Sequence, residues 1–226
     1  MNKKKLLSTM LAIIFVVALF VAPVSAASTG SWKTGKARAS LLTYNQEKIF
    51  DKSMVGITGV SYMPVALLAK QVVNGTNYVY LTYGTTITRT PKSAWYVITV
   101  HKNGKKVSVK YINKMTPANV KTNSKPRKLK TLSGGLAIQP QIYQPAALSA
   151  SAMRVFEKAA AKYTKYSLRP LGLLGYQTVS GKNYKILCYG TAKNVKDIFV
   201  VTIYKKTNGD CKVSSCKALN LEYYVK

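Results

Sequence analysis

One segment of the chain occurs twice. Residues 64–85 and 170–191 align at a constant offset of 106, and about half of these 22 positions carry the same residue. Unrelated segments of average composition share on the order of one or two such positions. Residues 95–102 and 198–205 continue the match after a small gap. The chain is therefore predicted to be a tandem duplication of one structural unit.

Each copy contains a helical pattern ahead of the matched segment. Apolar residues of the second copy recur at three- and four-residue steps, which predicts one face of a helix of roughly four turns. These residues are Ala152, Val155, Phe156, Ala159, Ala160 and Tyr163. The corresponding stripe in the first copy is Ile49, Phe50, Met54 and Ile57. Thr43 and Gln46 precede that stripe at the spacing of a capping box.

Runs rich in Val, Ile, Tyr and Thr follow each helical pattern and predict strands. Alternate apolar residues in residues 96–100 and 199–203 predict one buried face, and the residues between them predict a solvent-exposed face. Asn74-Gly75 and Asn103-Gly104 have the composition of two-residue hairpin turns in which both residues adopt positive φ. Ser180-Gly181 and Asn208-Gly209 occupy the equivalent points of the second copy.

These patterns predict an α+β fold. We expect two tandem domains, each with one α-helix packed across a four- to five-stranded antiparallel meander sheet. The predicted boundaries are 27–115 for the first domain and 134–226 for the second. Residues 116–133 are polar, basic and twice interrupted by proline, which is typical of a linker.

The first 26 residues have the pattern of a secretion signal. Three lysines precede an apolar stretch, and Val24-Ser25-Ala26 matches the small-residue pattern that signal peptidases cut. An uncleaved membrane anchor is the alternative, although Ser8, Thr9 and Pro23 interrupt the apolar run. We expect a secreted or extracellular protein that charge could retain at the cell envelope, with no membrane span after signal removal.

Lysine dominates the charge. The chain has 35 Lys and Arg against 6 Asp and Glu, a formal charge of +29, and the three lysines of the predicted signal leave +26 for the remainder. Lysine lacks the planar guanidinium that reads bases, so diffuse attraction to an anionic wall polymer or other polyanion is favoured over sequence-specific nucleic-acid binding. The predicted polyanion-binding linker residues are Lys121, Lys125, Arg127, Lys128 and Lys130. The alternative is that the lysines only maintain solubility.

A five-residue motif lies at the first predicted hairpin of each copy. Residues 71–75 read QVVNG and residues 177–181 read QTVSG, and both satisfy Q-x-V-x-G and are followed two residues later by Asn-Tyr. Helix, strand, this motif and a further strand together resemble the cystatin family. The resemblance covers most of each copy, and it extends to secreted bacterial proteins built from single or tandem copies of such a domain.

The resemblance implies a wedge that blocks the cleft of a papain-like cysteine protease. The wedge combines the Q-x-V-x-G hairpin tip, an N-terminal glycine and a second hairpin that carries Pro-Trp. Gly30 and Gly135 are the candidates for the N-terminal glycine, whereas Asn103-Gly104 and Asn208-Gly209 stand where Pro-Trp would be expected. The implied protease-binding residues are Gln71, Val73, Asn74 and Gly75 in the first copy and Gln177, Val179, Ser180 and Gly181 in the second. A structural interpretation of the motif is the alternative: glycine turns the chain and valine fills the edge of the core.

Catalytic chemistry has little support in the sequence. The acidic residues include only one helical neighbour pair, Glu47 and Asp51, and His101 is the only histidine. We therefore predict no catalytic residue, no metal site and no cofactor. The three cysteines all lie in the second half of the chain, and alternation with Lys185 predicts that Cys188 is a buried core thiol. A bond between Cys211 and Cys216 would need an intervening turn.

Overall fold

The computed structural model describes residues 33–34, 41–126, 136–138 and 148–225, which form mainly antiparallel sheet with a few short helices. The strands are β1 (Lys33–Thr34), β2 (Val60–Val73), β3 (Gly75–Thr86), β4 (Ser93–Asn103), β5 (Lys106–Met115), β6 (Thr122–Asn123), β7 (Leu136–Ile138), β8 (Ser167–Val179), β9 (Gly181–Ala192), β10 (Val195–Lys205) and β11 (Cys211–Leu219). The helices are α1 (Tyr44–Met54), α2 (Ala150–Ala160) and α3 (Leu221–Tyr224).

Local sequence explains where the two longer helices begin. The Thr43 side chain accepts from the backbone N–H of Gln46, whose side chain accepts from the Thr43 N–H, so the predicted capping box is confirmed. Ser149 caps α2 by accepting from the Ala152 N–H. Both helices are 11 residues long, so the expected four turns of the second helix were too many. Tyr163 lies beyond the end of α2.

The long strands form two antiparallel sheets. The first sheet has the order β5-β4-β3-β2-β7, and the second has the order β1-β8-β9-β10-β11-β6. Each therefore contains a four-stranded meander from one copy of the repeat. β2 and β8 also carry β-bulges at equivalent points, after Pro64 and Pro170, and bulges of this kind bend a strand. The expected antiparallel α+β character is confirmed.

Short strands cross between the two copies. β1 precedes α1 in the chain but pairs with β8 of the second sheet, at Lys33↔Tyr176. β7 precedes α2 but pairs with β2 of the first sheet, at Gln71↔Leu136. β6, within the predicted linker, pairs with β11. Each sheet thus depends on backbone from both halves of the chain.

Each sheet packs a helix on its outer face. Phe50 of α1 is fully buried, and its ring packs edge-to-face with the Tyr80 ring at a centroid distance of 5.2 Å. The Tyr80 hydroxyl donates to the Gln46 carbonyl at 3.0 Å, which ties the helix to the sheet. On the second sheet, Phe156 of α2 packs in a cluster that includes Phe199. The sheet faces that the alternating apolar residues predict to be buried are therefore the faces covered by the two helices.

The prediction that the other face of each sheet is exposed to solvent is wrong, because the two sheets pack against each other through these faces. One core cluster combines Trp95 and Val97 of the first sheet with Leu174 and Val200 of the second, and Trp95 is fully buried. With a helix on one face and a sheet on the other, the central strands are buried on both sides. Strands in that position have nearly continuous apolar sequences instead of alternating ones.

Candidate functional site at the hairpin tips

The Q-x-V-x-G motifs form the tips of the β2–β3 and β8–β9 hairpins. Val73 pairs with Gly75 across the first tip, and Val179 pairs with Gly181 across the second. Gly75 has φ of +100° and Gly181 has φ of +107°, values that residues other than glycine rarely adopt. The single residues between the paired positions, Asn74 and Ser180, do not have positive φ.

Both glycines lie against the backbone of the neighbouring strand. A Cβ atom built on Gly75 would lie 2.5 Å from the carbonyl oxygen of Lys102, at the end of β4. A Cβ on Gly181 would clash in the same way with the carbonyl oxygen of Lys205 on β10. The motif glycine is therefore required by close approach as well as by φ, so this part of the structural alternative is confirmed.

The two hairpin tips of the first sheet touch each other. The Asn103 amide donates to the Asn74 side-chain oxygen at 3.4 Å, which links the β2–β3 tip to the β4–β5 tip. In the second sheet the Tyr204 hydroxyl donates to the Ser180 carbonyl. Each first hairpin tip is thus held by contacts with the adjacent strand or tip.

A polar network lies behind the first tip. Asn77 is only 3% exposed, and its amide donates to the Gln71 side-chain oxygen at 2.8 Å across the hairpin. The Asn77 side-chain oxygen is 2.8 Å from His101 Nδ1. Because that oxygen can only accept, His101 carries its proton on Nδ1 in this arrangement. Gln71 therefore organises the hairpin from behind the tip.

Sequence reasoning assigned no role to the Asn of the Asn-Tyr pair. In the structure Asn77 pairs with Gln71, and Asn183 pairs with Gln177 at the same register. The occurrence of Gln and Asn six residues apart, centred on a hairpin turn, could have indicated cross-strand partners.

Two adjacent valines are exposed at the first tip. Val72 is 69% exposed and Val73 is 41% exposed. The alternative in which the motif valine fills the edge of the core is therefore wrong for Val73, and Val72 was not predicted as a site residue. In the second copy the corresponding residues are an exposed Thr178 and a half-buried Val179. The two tips are consequently unlike in surface chemistry.

Lysines surround the first pair of tips. Lys105 and Lys106 are exposed at the β4–β5 turn, and Lys102 is half-buried at the end of β4. That turn also differs from prediction. Gly104 has φ of +55° and Asn103 remains a strand residue paired with Lys106, so the turn residues are Gly104 and Lys105. A single glycine at the first turn position is typical of a type II′ turn.

The linker residues divide into two groups. Lys121 and Lys125 are exposed, whereas Arg127, Lys128, Lys130 and the glycine candidates Gly30 and Gly135 lie outside the described residues. The Lys121 N–H donates to the Tyr224 hydroxyl at 2.9 Å, and its carbonyl accepts from the Asn220 N–H at 2.9 Å. Residues 120–123 are therefore packed against the second sheet.

Lys185 contacts the beginning of the predicted linker, residues 116–133. Its ammonium group donates to the Pro117 carbonyl at 2.6 Å. Partial burial lowers the pKa of Lys185 below the ordinary lysine value. This lysine has a local structural contact and is not part of a diffuse basic surface.

The three cysteines are free thiols on the helix-covered side of the second sheet. Cys188 is fully buried, which confirms the prediction of a core thiol. Cys211 and Cys216 lie on the same strand, β11, so no turn brings them together. Burial raises the pKa of both the Cys188 and the Cys216 thiols. These thiols are therefore poorly activated as nucleophiles at neutral pH.

In the described part of the chain, no three His, Cys, Asp or Glu side chains are arranged to hold a metal ion. Within the same residues, no helix is long and apolar enough to cross a membrane. In comparisons with protein-family models, curated proteins and solved structures, nothing matches this chain.

Proposed function

We propose that this protein is a secreted inhibitor of papain-like cysteine proteases and that the first hairpin tip is its recognition element. The proposed organisation is two cystatin-like domains, residues 27–115 and 134–226, joined by residues 116–133. The observation that carries the proposal is the exposed pair Val72 and Val73 at a tip whose backbone is fixed from two sides.

The fixed backbone favours tight binding. Contact between Gly75 and the Lys102 carbonyl, together with the Asn103–Asn74 hydrogen bond, holds the tip before any partner arrives. A surface that is already rigid loses little conformational entropy when it docks. Burying one exposed valine in a cleft contributes about 1.5 kcal/mol, so two valines supply useful affinity. The hairpin acts as a wedge and presents no peptide carbonyl to the nucleophile for cleavage.

The second hairpin would contribute charge in place of an aromatic anchor. Where the resemblance implies Pro-Trp, the β4–β5 turn offers Lys105 beside Gly104. A lysine at the rim of an interface steers association and adds less affinity than a buried tryptophan. We therefore expect the strongest inhibition with proteases that have an acidic cleft rim. The second copy, with Thr178 in place of Val72, is the weaker inhibitor.

Titration against active papain tests the proposal. The purified protein is added to papain at increasing concentration, and residual hydrolysis of a small fluorogenic substrate is measured. We expect competitive inhibition at micromolar concentration or below, with the chain recovered uncleaved by mass spectrometry. Absence of inhibition at that concentration, or cleavage within residues 71–75, would refute the wedge.

A second candidate function is adhesion to an anionic surface. The charge excess supports it, as do the exposed Lys121 and Lys125 beside the second sheet. Contacts of this kind weaken steeply with salt, because bound counterions are released on association. We expect the protein to be retained on a heparin-like resin at low salt and to be eluted well below molar salt. Failure to be retained at low salt would exclude this function.

A further inference from the structure

The first sheet ends in an open strand. In the strand order of the first sheet, β5 is terminal, and it pairs only with β4 among the described residues. No backbone hydrogen bond from the outer side of Lys106–Met115 reaches any other described segment. Half of the N–H and C=O groups of such an edge strand point away from the sheet.

The equivalent edge strand of the second sheet, β11, is covered at one end. β6 pairs with β11 at Ala218↔Asn123 and Leu219↔Thr122. The Asn220 N–H, directly after β11, donates to the Lys121 carbonyl. The residues that follow β5 thus cover the last residues of β11 and leave their own sheet open.

Three exposed lysines lie along the open edge strand at four-residue intervals: Lys106, Lys110 and Lys114. Lys110 is the extra residue of a β-bulge, since Thr99 pairs with Tyr111 and Val100 pairs with Val109. Between the lysines, Ile112 is 38% exposed. Lysines on an edge strand oppose pairing with a second basic copy of the chain by charge repulsion. The same lysines attract an acidic strand.

We propose that β5 binds an extended acidic segment of a partner protein by adding it as a sixth strand to the first sheet. Main-chain hydrogen bonds to the outer side of β5 would supply affinity, as in other cases of strand addition. Because the bulge at Lys110 changes the alternation, Lys106 lies on the face toward the second sheet and Lys114 lies on the helix-covered face. Carboxylates of the partner would therefore contact lysines on both faces of the added strand, and an apolar residue would cover Ile112. This surface is separate from the hairpin tip proposed to enter a protease cleft.

Backbone methylation provides the decisive test. A fluorescent ten-residue peptide that carries Glu on both faces of the extended strand, among Val and Thr residues, is titrated with the full chain at low salt, and binding is followed by anisotropy. Two further peptides carry N-methyl groups on the odd or on the even residues. Because alternate amides point to opposite edges of a strand, one methylated peptide should lose binding and the other should retain it. Equal binding of both methylated peptides, or no binding of the parent, would overturn the proposal.

Matched variants distinguish the open edge from general charge. K106S/K110S/K114S removes the three edge lysines, and K193S/K212S/K217S removes one exposed lysine from the β9–β10 turn and two from β11. We expect the first variant to weaken peptide binding by about tenfold or more and the second by less than threefold. Equal effects of the two variants would contradict docking at β5. Circular dichroism of both variants reports whether the fold is intact.

Discussion

The indole of Trp95 in the first sheet lies directly over Gly172 in the second. A Cβ atom on Gly172 would lie 3.0 Å from Cη2 of the indole, and Trp95 has no exposed surface. In the sequence alignment of the two copies, Ile198 corresponds to Trp95 and Ala66 corresponds to Gly172. Ile198 and Ala66 belong to the same core cluster. A large residue on one sheet is thus matched by a small residue on the other, as close packing requires.

We expect this size matching to appear in a double-mutant cycle. Gly172→Ala alone should destabilise the fold by about 1–2 kcal/mol, because the buried indole has little room to move. In a Trp95→Ile background the same substitution should be neutral or stabilising, since alanine has less entropy to lose than glycine. Urea denaturation of the four proteins measures the coupling free energy. Additive effects would show that the two sheets do not meet at this point.

The motif glycine should be more costly to replace than a turn glycine of similar φ. Gly209→Ala, at φ of +88°, meets open space and bears only the cost of positive φ, about 1 kcal/mol. Gly75→Ala bears that cost and also clashes with the Lys102 carbonyl, so we expect it to lose at least about 2 kcal/mol more. Thermal denaturation of the two single variants compares them. Equal losses would contradict the close approach of the two strands.

Stability should fall above pH 10. Burial raises the pKa of the Tyr80 hydroxyl above the 10.0 of an exposed tyrosine, and the pKa of Tyr62, Tyr163, Tyr184 and Tyr224 moves in the same direction. A raised folded-state pKa stabilises the fold below the unfolded pKa, and this stabilisation is lost as pH rises toward the folded value. The unfolded chain releases these protons first, so alkaline pH favours unfolding.

Tyr80→Phe isolates one of these contributions. At neutral pH it should cost about 1 kcal/mol, because the hydrogen bond to Gln46 is lost. Above pH 10 the free energy of unfolding should depend less steeply on pH, by about 1.4 kcal/mol per unit. Urea titrations between pH 8 and roughly pH 11 measure the slope. Tyr44→Phe, at an exposed ring, is the control. An unchanged slope for Tyr80→Phe would contradict its burial.

The three thiols should remain unpaired in the native protein. Cys188 on β9 lies opposite Phe199 of β10, and Cys216 on β11 lies opposite Val201 of the same strand. The two thiols are therefore on either side of β10, two strand spacings of about 4.8 Å apart. That separation exceeds the reach of a disulfide. Alkylation followed by mass spectrometry should label the half-buried Cys216 first and Cys188 last. Rapid labelling of Cys188 in native buffer, or a recovered disulfide, would be inconsistent with this packing.

The parts of the fold that depend on local interactions could be predicted from sequence. Thr43 and Gln46 cap α1 through contacts three residues apart, and the glycines of the repeated motif mark hairpin tips. The stacking of the sheets depends on contacts between distant residues. Its one sequence signal was the unbroken apolar run Ala94–Ile98, which alternation alone does not explain. The strands that cross between copies are only two or three residues long, so they carry no periodic pattern.

The candidate site was predictable in position but not in detail. The motif located both tips, yet Val72 occupies a variable motif position and its exposure depends on how the strand leaves the sheet. The close approach of Gly75 to Lys102 joins residues that are far apart in sequence. Only the structure distinguishes the apolar tip of the first copy from the more polar tip of the second.

Exchange of the tip residues between the copies tests the central claim most directly. Inhibition constants against papain are measured for Val72→Thr, for Thr178→Val and for the wild-type chain, with circular dichroism to establish that all three fold alike. We predict that Val72→Thr weakens inhibition by about tenfold, the equivalent of one buried valine, and that Thr178→Val strengthens inhibition by the second copy. If Val72→Thr inhibits as well as the wild-type chain, the first hairpin tip is not the element that enters the cleft.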